Sequence, residues 1–220
     1  MSTPRVSPFF QNLRAPAVQG FLHSPENPSR DVLILTHGAG ANCESPFLVA
    51  LATAFCETGM TVLRCDLPFR QLRPHGPPPR GSADRDQDGL RNAVGAMQRV
   101  SGRVFLGGHS YGGRQATMLA AREAGLVEGL LLLSYPLHPP SSPQEPRTGH
   151  FPHLRTPSLF VHGTRDSMGT VDEMQEAMKL IFSPRELMTV QGAGHELASA
   201  KSRQAVTASI VKAFGDFFLQ

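Results

Sequence analysis

The sequence predicts a doubly wound α/β fold, a mostly parallel sheet with helices on both faces, within one domain spanning 1–220. Two observations predict it. Short, almost wholly apolar runs such as Asp31–Thr36 and Gly129–Ser134 have the composition of strands buried on both faces. Between such runs lie stretches whose apolar residues recur at helical spacing, and that alternation demands parallel strands joined by right-handed crossovers.

Taken in order, residues 1–16 read as an irregular N-terminal segment. Asp31-Val-Leu-Ile-Leu-Thr36 is the first central strand and empties into His37-Gly38-Ala39-Gly40. Ser45 before Pro46 combines an N-cap with proline at the first helical position, after which Leu48, Leu51, Ala52 and Phe55 share one face. Thr61–Cys65 is the next strand, and Asp84–Val100, with Leu90, Ala93, Val94 and Met97, the next helix. Arg103–Gly107 and Gly129–Ser134 bracket a helix that begins just past Ser110. Pro157–Val161 and Glu186–Val190 supply two further strands. Between them Thr170-x-x-Glu173 forms a capping box, with Val171, Met174, Met178 and Ile181 on the buried face. A last helix over Ser199–Phe218 carries Val206, Ile210, Phe214 and Phe217 along one side. Two irregular connections, Phe69–Gly81 and Pro136–Thr156, emerge where the strands' carboxyl ends should lie, the edge at which α/β sheets bind ligands.

Composition limits the function classes. With 40% hydrophobic and 18% charged residues, a chain of 220 can offset the entropy of ordering itself and is expected to be globular. A formal charge of +3 is a weak argument for nucleic acid, and no nucleic-acid partner is expected. Met1–Gln11 lacks the apolar run of a signal peptide, and Leu130–Leu133 falls far short of the roughly 20 apolar residues of a membrane span. A cytoplasmic protein with no membrane partner is therefore expected. Cys43, Cys56 and Cys65 are odd in number and lack metal-ligand spacing, so they read as reduced thiols.

A serine hydroxyl is a poor nucleophile at neutral pH unless a base is held beside it and an acid holds the base. Gly108-His109-Ser110-Tyr111-Gly112 places a serine between an apolar strand and a helix rich in small residues (Gly113, Ala116, Ala120, Ala121), the setting of a nucleophile elbow. Asp166 follows one later strand in His162-Gly-Thr-Arg-Asp166, and His195 follows the next in Gly192-Ala-Gly-His195. Each alone reads more simply as a loop residue, Asp166 as a helix cap and His195 as one histidine among glycines. The chain order Ser, Asp, His, each just beyond a strand, makes Ser110 the candidate nucleophile, His195 the base and Asp166 the acid. An oxyanion needs two backbone N–H donors. Tyr111 supplies one, and Ala39 is the candidate for the second, with Gly40 and Ala41 as alternatives.

Together Gly108-His-Ser-Tyr-Gly112, His37-Gly-Ala-Gly40, His162-Gly-Thr-Arg-Asp166 and Gly194-His195 resemble the α/β-hydrolase superfamily from Val32 onward. More narrowly, Thr36-His-Gly-Ala-Gly40, Leu67-Pro-Phe-Arg70 and Tyr135-Pro-Leu-His-Pro-Pro140 are similar to a group of small, dienelactone-hydrolase-like proteins. That group also includes a testis-expressed protein and a subunit of a non-specific-lethal chromatin complex. The resemblance implies the α/β-hydrolase fold without a large lid, a triad at Ser110, Asp166 and His195, and neither metal nor organic cofactor. Ser110 stands where true dienelactone hydrolases carry cysteine, which argues against dienelactone itself as substrate.

The expected function is hydrolysis of a small-molecule carboxylic ester or thioester through an acyl-enzyme on Ser110. The alternative is a catalytically idle scaffold that binds a protein through the two Pro-rich connections. Gly40, Arg70 and His138 are candidate substrate contacts. Arg64, Arg70, Arg73, Arg80 and Arg85 could hold an anionic group, although a solvated loop pairing with Asp84, Asp86 and Asp88 is the simpler reading. His150-x-x-His153 lies in a Pro-rich stretch with no third ligand at useful spacing, so no metal is expected.

Overall fold

In the computed structural model of the chain, which describes residues 4–100 and 102–219, the strands are β1 (Arg5–Gln11), β2 (Val18–Ser24), β3 (Asp31–Thr36), β4 (Thr61–Cys65), β5 (Arg103–His109), β6 (Gly129–Leu133), β7 (Ser158–Gly163) and β8 (Arg185–Val190). The helices are α1 (Pro46–Glu57), α2 (Pro68–Leu72), α3 (Ala83–Met97), α4 (Tyr111–Arg122), α5 (Val171–Met178) and α6 (Arg203–Phe218). The strands form one sheet in the order β1-β2-β4-β3-β5-β6-β7-β8. All neighbours from β4 to β8 are parallel, whereas β2 runs antiparallel to β4 and to β1. The fold is the doubly wound α/β arrangement that the alternation predicts.

Side chains of a strand alternate between faces, and the two cores follow that period of two. Ile34, Leu106, Leu130 and Leu132 join Leu90, Val94 and Met97 of α3, Leu119 of α4 and Met174 of α5. Leu33, Leu35, Phe105, Leu131 and Leu133 join Leu48, Leu51 and Phe55 of α1 and Ile210 and Phe214 of α6 on the other face. Because β3, β5 and β6 are covered on both sides, they lack the polar alternation of a half-exposed strand.

The N-terminal segment departs from expectation. Residues 5–11 are not irregular but form β1, paired with β2 from Arg5↔Ser24 to Gln11↔Val18. Pro8 breaks the apolar reading there, and an edge strand tolerates proline because one side of it needs no ladder partner. The Phe69–Gly81 connection likewise begins inside α2. The Pro136–Thr156 connection carries a 3-10 turn at Phe151–His153 and no helical lid. Several ends shift: α3 stops at Met97, α6 starts at Arg203, and β5 and β7 continue through His109 and Gly163. Among the described residues no helix is long and apolar enough to cross a membrane.

The chain passes from β3 to β4 on one side and then to β5 on the other. The turns leaving β3 and β5 therefore part around a crevice at the carboxyl edge of the sheet, the switch point at which doubly wound sheets place ligands.

Candidate active site

Strand β5 ends at His109 and α4 begins at Tyr111, leaving a single residue, Ser110, to make the turn. Ser110 holds φ 51° and ψ −114°, outside the regions comfortable for a residue with a side chain. Its N–H donates to Leu133 O of β6 (2.8 Å), which anchors the turn. The sharp reversal brings backbones together: a Cβ at Gly108 would press on the Gly113 amide, and one at Gly112 would lie 2.6 Å from His37 O. Glycine at these places is a steric requirement of the elbow.

Beyond β7 and β8, two loops bring Asp166 and His195 to Ser110. Ser110 Oγ lies 2.7 Å from His195 Nε2, and His195 Nδ1 lies 2.8 Å and 3.0 Å from the two Asp166 oxygens. A carboxylate only accepts, so Nδ1 carries the proton and Nε2 is left to accept from the serine hydroxyl. The loops are fastened to each other, with Arg165 N–H donating to Ala193 O (2.8 Å). Burial works to raise the Asp166 carboxyl, but the bonds from His195 and from Met168 N–H (2.8 Å) outweigh it and hold the group below its ordinary range. It remains an anion fit to orient an imidazole.

Of the candidate oxyanion donors, Tyr111 N–H heads α4, where an amide has no partner within its own helix. Ala41 N–H already donates to Gly38 O (3.2 Å), which removes it from the alternatives and leaves Ala39 and Gly40. His37 shapes this loop from below. It accepts from Leu67 N–H at Nε2 (3.1 Å) and therefore donates from Nδ1 to Gly38 O (2.8 Å). Burial, first among the causes, lowers its pKa and favours this neutral form.

Arg70 and His138, the candidate substrate contacts, are both buried. The buried Arg70 guanidinium donates to Ala39 O (2.7 Å), Ala41 O (2.8 Å), Arg73 O (2.9 Å) and Gly76 O (3.0 Å). It is a latch on the loop that carries the oxyanion candidates, with its fork occupied by protein carbonyls. Buried His138 donates from Nδ1 to Pro139 O (2.9 Å) and lines a cavity of about 390 Å³ with Leu137, Pro143, Pro146 and Thr148. The arginine-rich stretch does not pair as the simpler reading supposed: Asp84 meets Arg122, Asp88 meets Arg91, and Arg64 bonds His23 and Cys43 O. Asp86 is wholly buried and accepts from Phe69 N–H (2.9 Å) and Tyr111 O–H (2.8 Å).

His109, to which the sequence assigned no role of its own, also bears on the site. Its Nε2 donates to His195 O (2.9 Å), so it braces the main chain of the histidine that faces Ser110. Among the described residues no group of three or more His, Cys, Asp or Glu is placed to hold a metal ion.

Comparison with known proteins now bears on this geometry. The alpha/beta hydrolase domain family matches residues 29–217, from just before β3 to within the last turn of α6. The chain belongs to that family. Solved structures with the same fold include a dienelactone hydrolase from Anabaena variabilis, 19% identical, with a TM-score of 0.78 over 99% of this chain and 100% of that one. Est1E from Butyrivibrio proteoclasticus is 16% identical, with a TM-score of 0.77 over 97% and 99%. A serine hydrolase without a lid from Xanthomonas campestris is 15% identical, with a TM-score of 0.77 over 98% and 96%. At such identities the likeness is one of fold, and the hydrolase domain's chemistry must be argued from its own residues.

Proposed function

We propose that this alpha/beta hydrolase domain is a serine hydrolase cleaving a carboxylic ester or thioester of modest size through an acyl-enzyme on Ser110. The observation that carries this reading is the unbroken chain from Ser110 Oγ through His195 to Asp166. In the first half-reaction Ser110 Oγ bonds to the carbonyl carbon as its proton passes to His195 Nε2, and the carbonyl π pair moves onto oxygen. Tyr111 N–H and a second amide from Ala39 or Gly40 receive that oxyanion. Collapse breaks the bond to the leaving oxygen or sulfur, which takes the proton from His195. Water repeats the sequence, releases the acid and restores Ser110.

The dienelactone hydrolase and the lidless serine hydrolase among the structural neighbours are in keeping with this chemistry, as is Est1E, which has been solved with ferulic acid bound. The narrower likeness to the small dienelactone-hydrolase-like group is part of the same proposal. A fluorophosphonate probe tests it: wild type is labelled and Ser110→Ala is not. A folded wild type that stays unlabelled overturns the reading and leaves the idle scaffold in its place.

A further inference from the structure

The connection that leaves β6 packs against the loop between β7 and α5: His138 N–H donates to Met168 O (3.1 Å), and a Cβ at Gly169 would lie 2.9 Å from Leu137 Cβ. Where this connection meets α5 it borders the cavity of about 390 Å³, to which Leu137, Pro143, Pro146 and Ala177 give apolar walls. Neither Ser110 nor His195 lines it, so it is not the crevice of the triad. Its α5 side carries the carboxylates of Asp172, Glu173 and Glu176, and among the described residues no lysine or arginine lines it.

Glu176 is met at the surface by Lys179 (2.6 Å). Glu173 Oε2 accepts from the Thr170 N–H (2.7 Å) and O–H (2.8 Å), and these bonds, the N–H first, hold the Glu173 carboxyl below its ordinary range and keep it an anion. They occupy one oxygen and leave Oε1 for another donor. The His138 side chain, 7% exposed, faces that carboxylate. Because its Nδ1 donates to Pro139 O (2.9 Å), Nε2 is left with a lone pair, and Nε2 is buried with no hydrogen-bond partner. It stands 3.5 Å from Glu173 Oε2, whereas a protonated ring paired with the carboxylate would close to about 2.7–2.9 Å. Two acceptors thus face each other at the cavity wall with no donor between them, an arrangement that costs stability until a donor arrives.

A primary ammonium has three N–H donors and no acceptor, and its charge is the one the carboxylates on this wall favour. A hydroxyl brings one donor and leaves the charge unanswered, and an anion adds repulsion. We propose that this cavity is a binding site for a compact organic ammonium, its apolar body against Leu137, Pro143, Pro146 and Ala177 and its N–H groups shared between His138 Nε2 and the Glu173 carboxylate. The assignment stands apart from the reading of Ser110. Its wall is nonetheless tied to the triad through Met168, whose carbonyl accepts from His138 N–H and whose N–H donates to Asp166 Oδ1 (2.8 Å).

The test is isothermal titration of the full chain at neutral pH with phenethylamine, phenethyl alcohol and phenylpropanoate, which share a body and differ in the charge at its end. Wild type binds the amine with a Kd of about 1 mM or tighter. The alcohol and the carboxylate bind at least about tenfold more weakly, the scale of one hydrogen bond to a charged group. Glu173→Gln keeps the capping box but not the charge, and brings the amine toward the affinity of the alcohol. Ala177→Leu fills the cavity, touches neither polar atom and abolishes binding of the amine. The nitrogen NMR signal of the His138 ring moves on adding amine to wild type and stays still in Ala177→Leu. No binding of the amine, equal affinity for amine and alcohol, or an amine affinity unchanged in both variants overturns the site. Should Ala177→Leu fail to fold, Glu173→Gln and the His138 signal in wild type decide, and a signal the amine leaves unmoved overturns it.

Discussion

His109 Nε2 donates to the carbonyl of His195 across 86 positions of sequence, at 2.9 Å. The residue just before the proposed nucleophile thus fixes the main chain of the proposed base, and one imidazole keeps another in register with Ser110 Oγ. Because a carbonyl only accepts, Nε2 must carry the His109 proton, and burial, which lowers the His109 pKa, keeps the ring neutral. Catalytic geometry is sensitive to displacements well under an ångström. His109→Ala is expected to lower kcat by roughly ten- to a hundredfold with little change in KM. His109→Gln, whose amide can still donate, should recover part of the loss. Equal kcat in wild type and alanine variant would show that the His195 loop holds itself.

Arg70 offers a sharper discrimination between supporting a loop and contacting substrate. Its four bonds to Ala39, Ala41, Arg73 and Gly76 carbonyls hold the strip that carries Ala39 and Gly40, the proposed sources of the second oxyanion donor. Arg70→Gln is expected to lower kcat/KM about tenfold or more, and by the same factor for neutral and anionic esters. Arg70→Lys should fail almost as badly, since one ammonium cannot span four carbonyls. A loss confined to the anionic esters would return Arg70 to the role of substrate contact.

Tyr111 and Asp86 link the elbow to the connection after β4. The buried Asp86 carboxyl accepts from Tyr111 O–H and Phe69 N–H, and burial raises its pKa above the ordinary carboxylate value. Tyr111→Phe removes one of these donors while leaving the ring packed edge-on against Phe69. The expected cost is about 1.5–3 kcal/mol, the range for a hydrogen bond to a charged group, read from the shift of a urea midpoint. Asp86→Asn should cost less, because an amide oxygen still accepts and the buried charge is gone. An unchanged midpoint in Tyr111→Phe would show that water replaces the phenol without penalty.

How legible each feature was follows from what it depends on. The strands β3, β5 and β6 were plain because burial on both faces writes an apolar run; Ser110 and Asp166 were legible because each follows such a run, and His195, beyond the half-exposed edge strand β8, because it completes the order Ser, Asp, His. Strand β1 was hidden, since an edge strand with an exposed face and Pro8 carries no such run. Asp86 was hidden for another reason: it stands between Asp84 and Asp88 at helical spacing, where a charge reads as solvated until a tyrosine from another helix is seen above it. His109 and Arg70 act through backbone carbonyls, and no side-chain pattern marks a carbonyl that will need a donor.

Stability toward acid follows from the histidines the fold keeps neutral. His23 and His150 are each lowered to about 4, burial being the larger cause, with Arg64 opposing the charge on His23 and Arg114 that on His150. A histidine whose folded pKa lies below its unfolded value leaves stability intact above about 6.5 and removes it as pH falls toward the folded value, because the unfolded chain takes up the proton first. Asp166, held low in the fold, contributes stability that is lost only below the ordinary carboxylate range, so the first acid step belongs to the histidines. By pH 5 each of the two is expected to cost about 2 kcal/mol, or roughly 4–8 °C in melting temperature for a domain of this size. His23 accepts from Arg64 Nε at 2.8 Å, a bond that protonation removes. In His23→Gln a side-chain oxygen can accept the same bond and does not titrate. Melting temperatures measured from pH 7.5 to 5 should fall less steeply in that variant than in wild type; parallel curves would show that His23 titrates alike in the folded and unfolded chain.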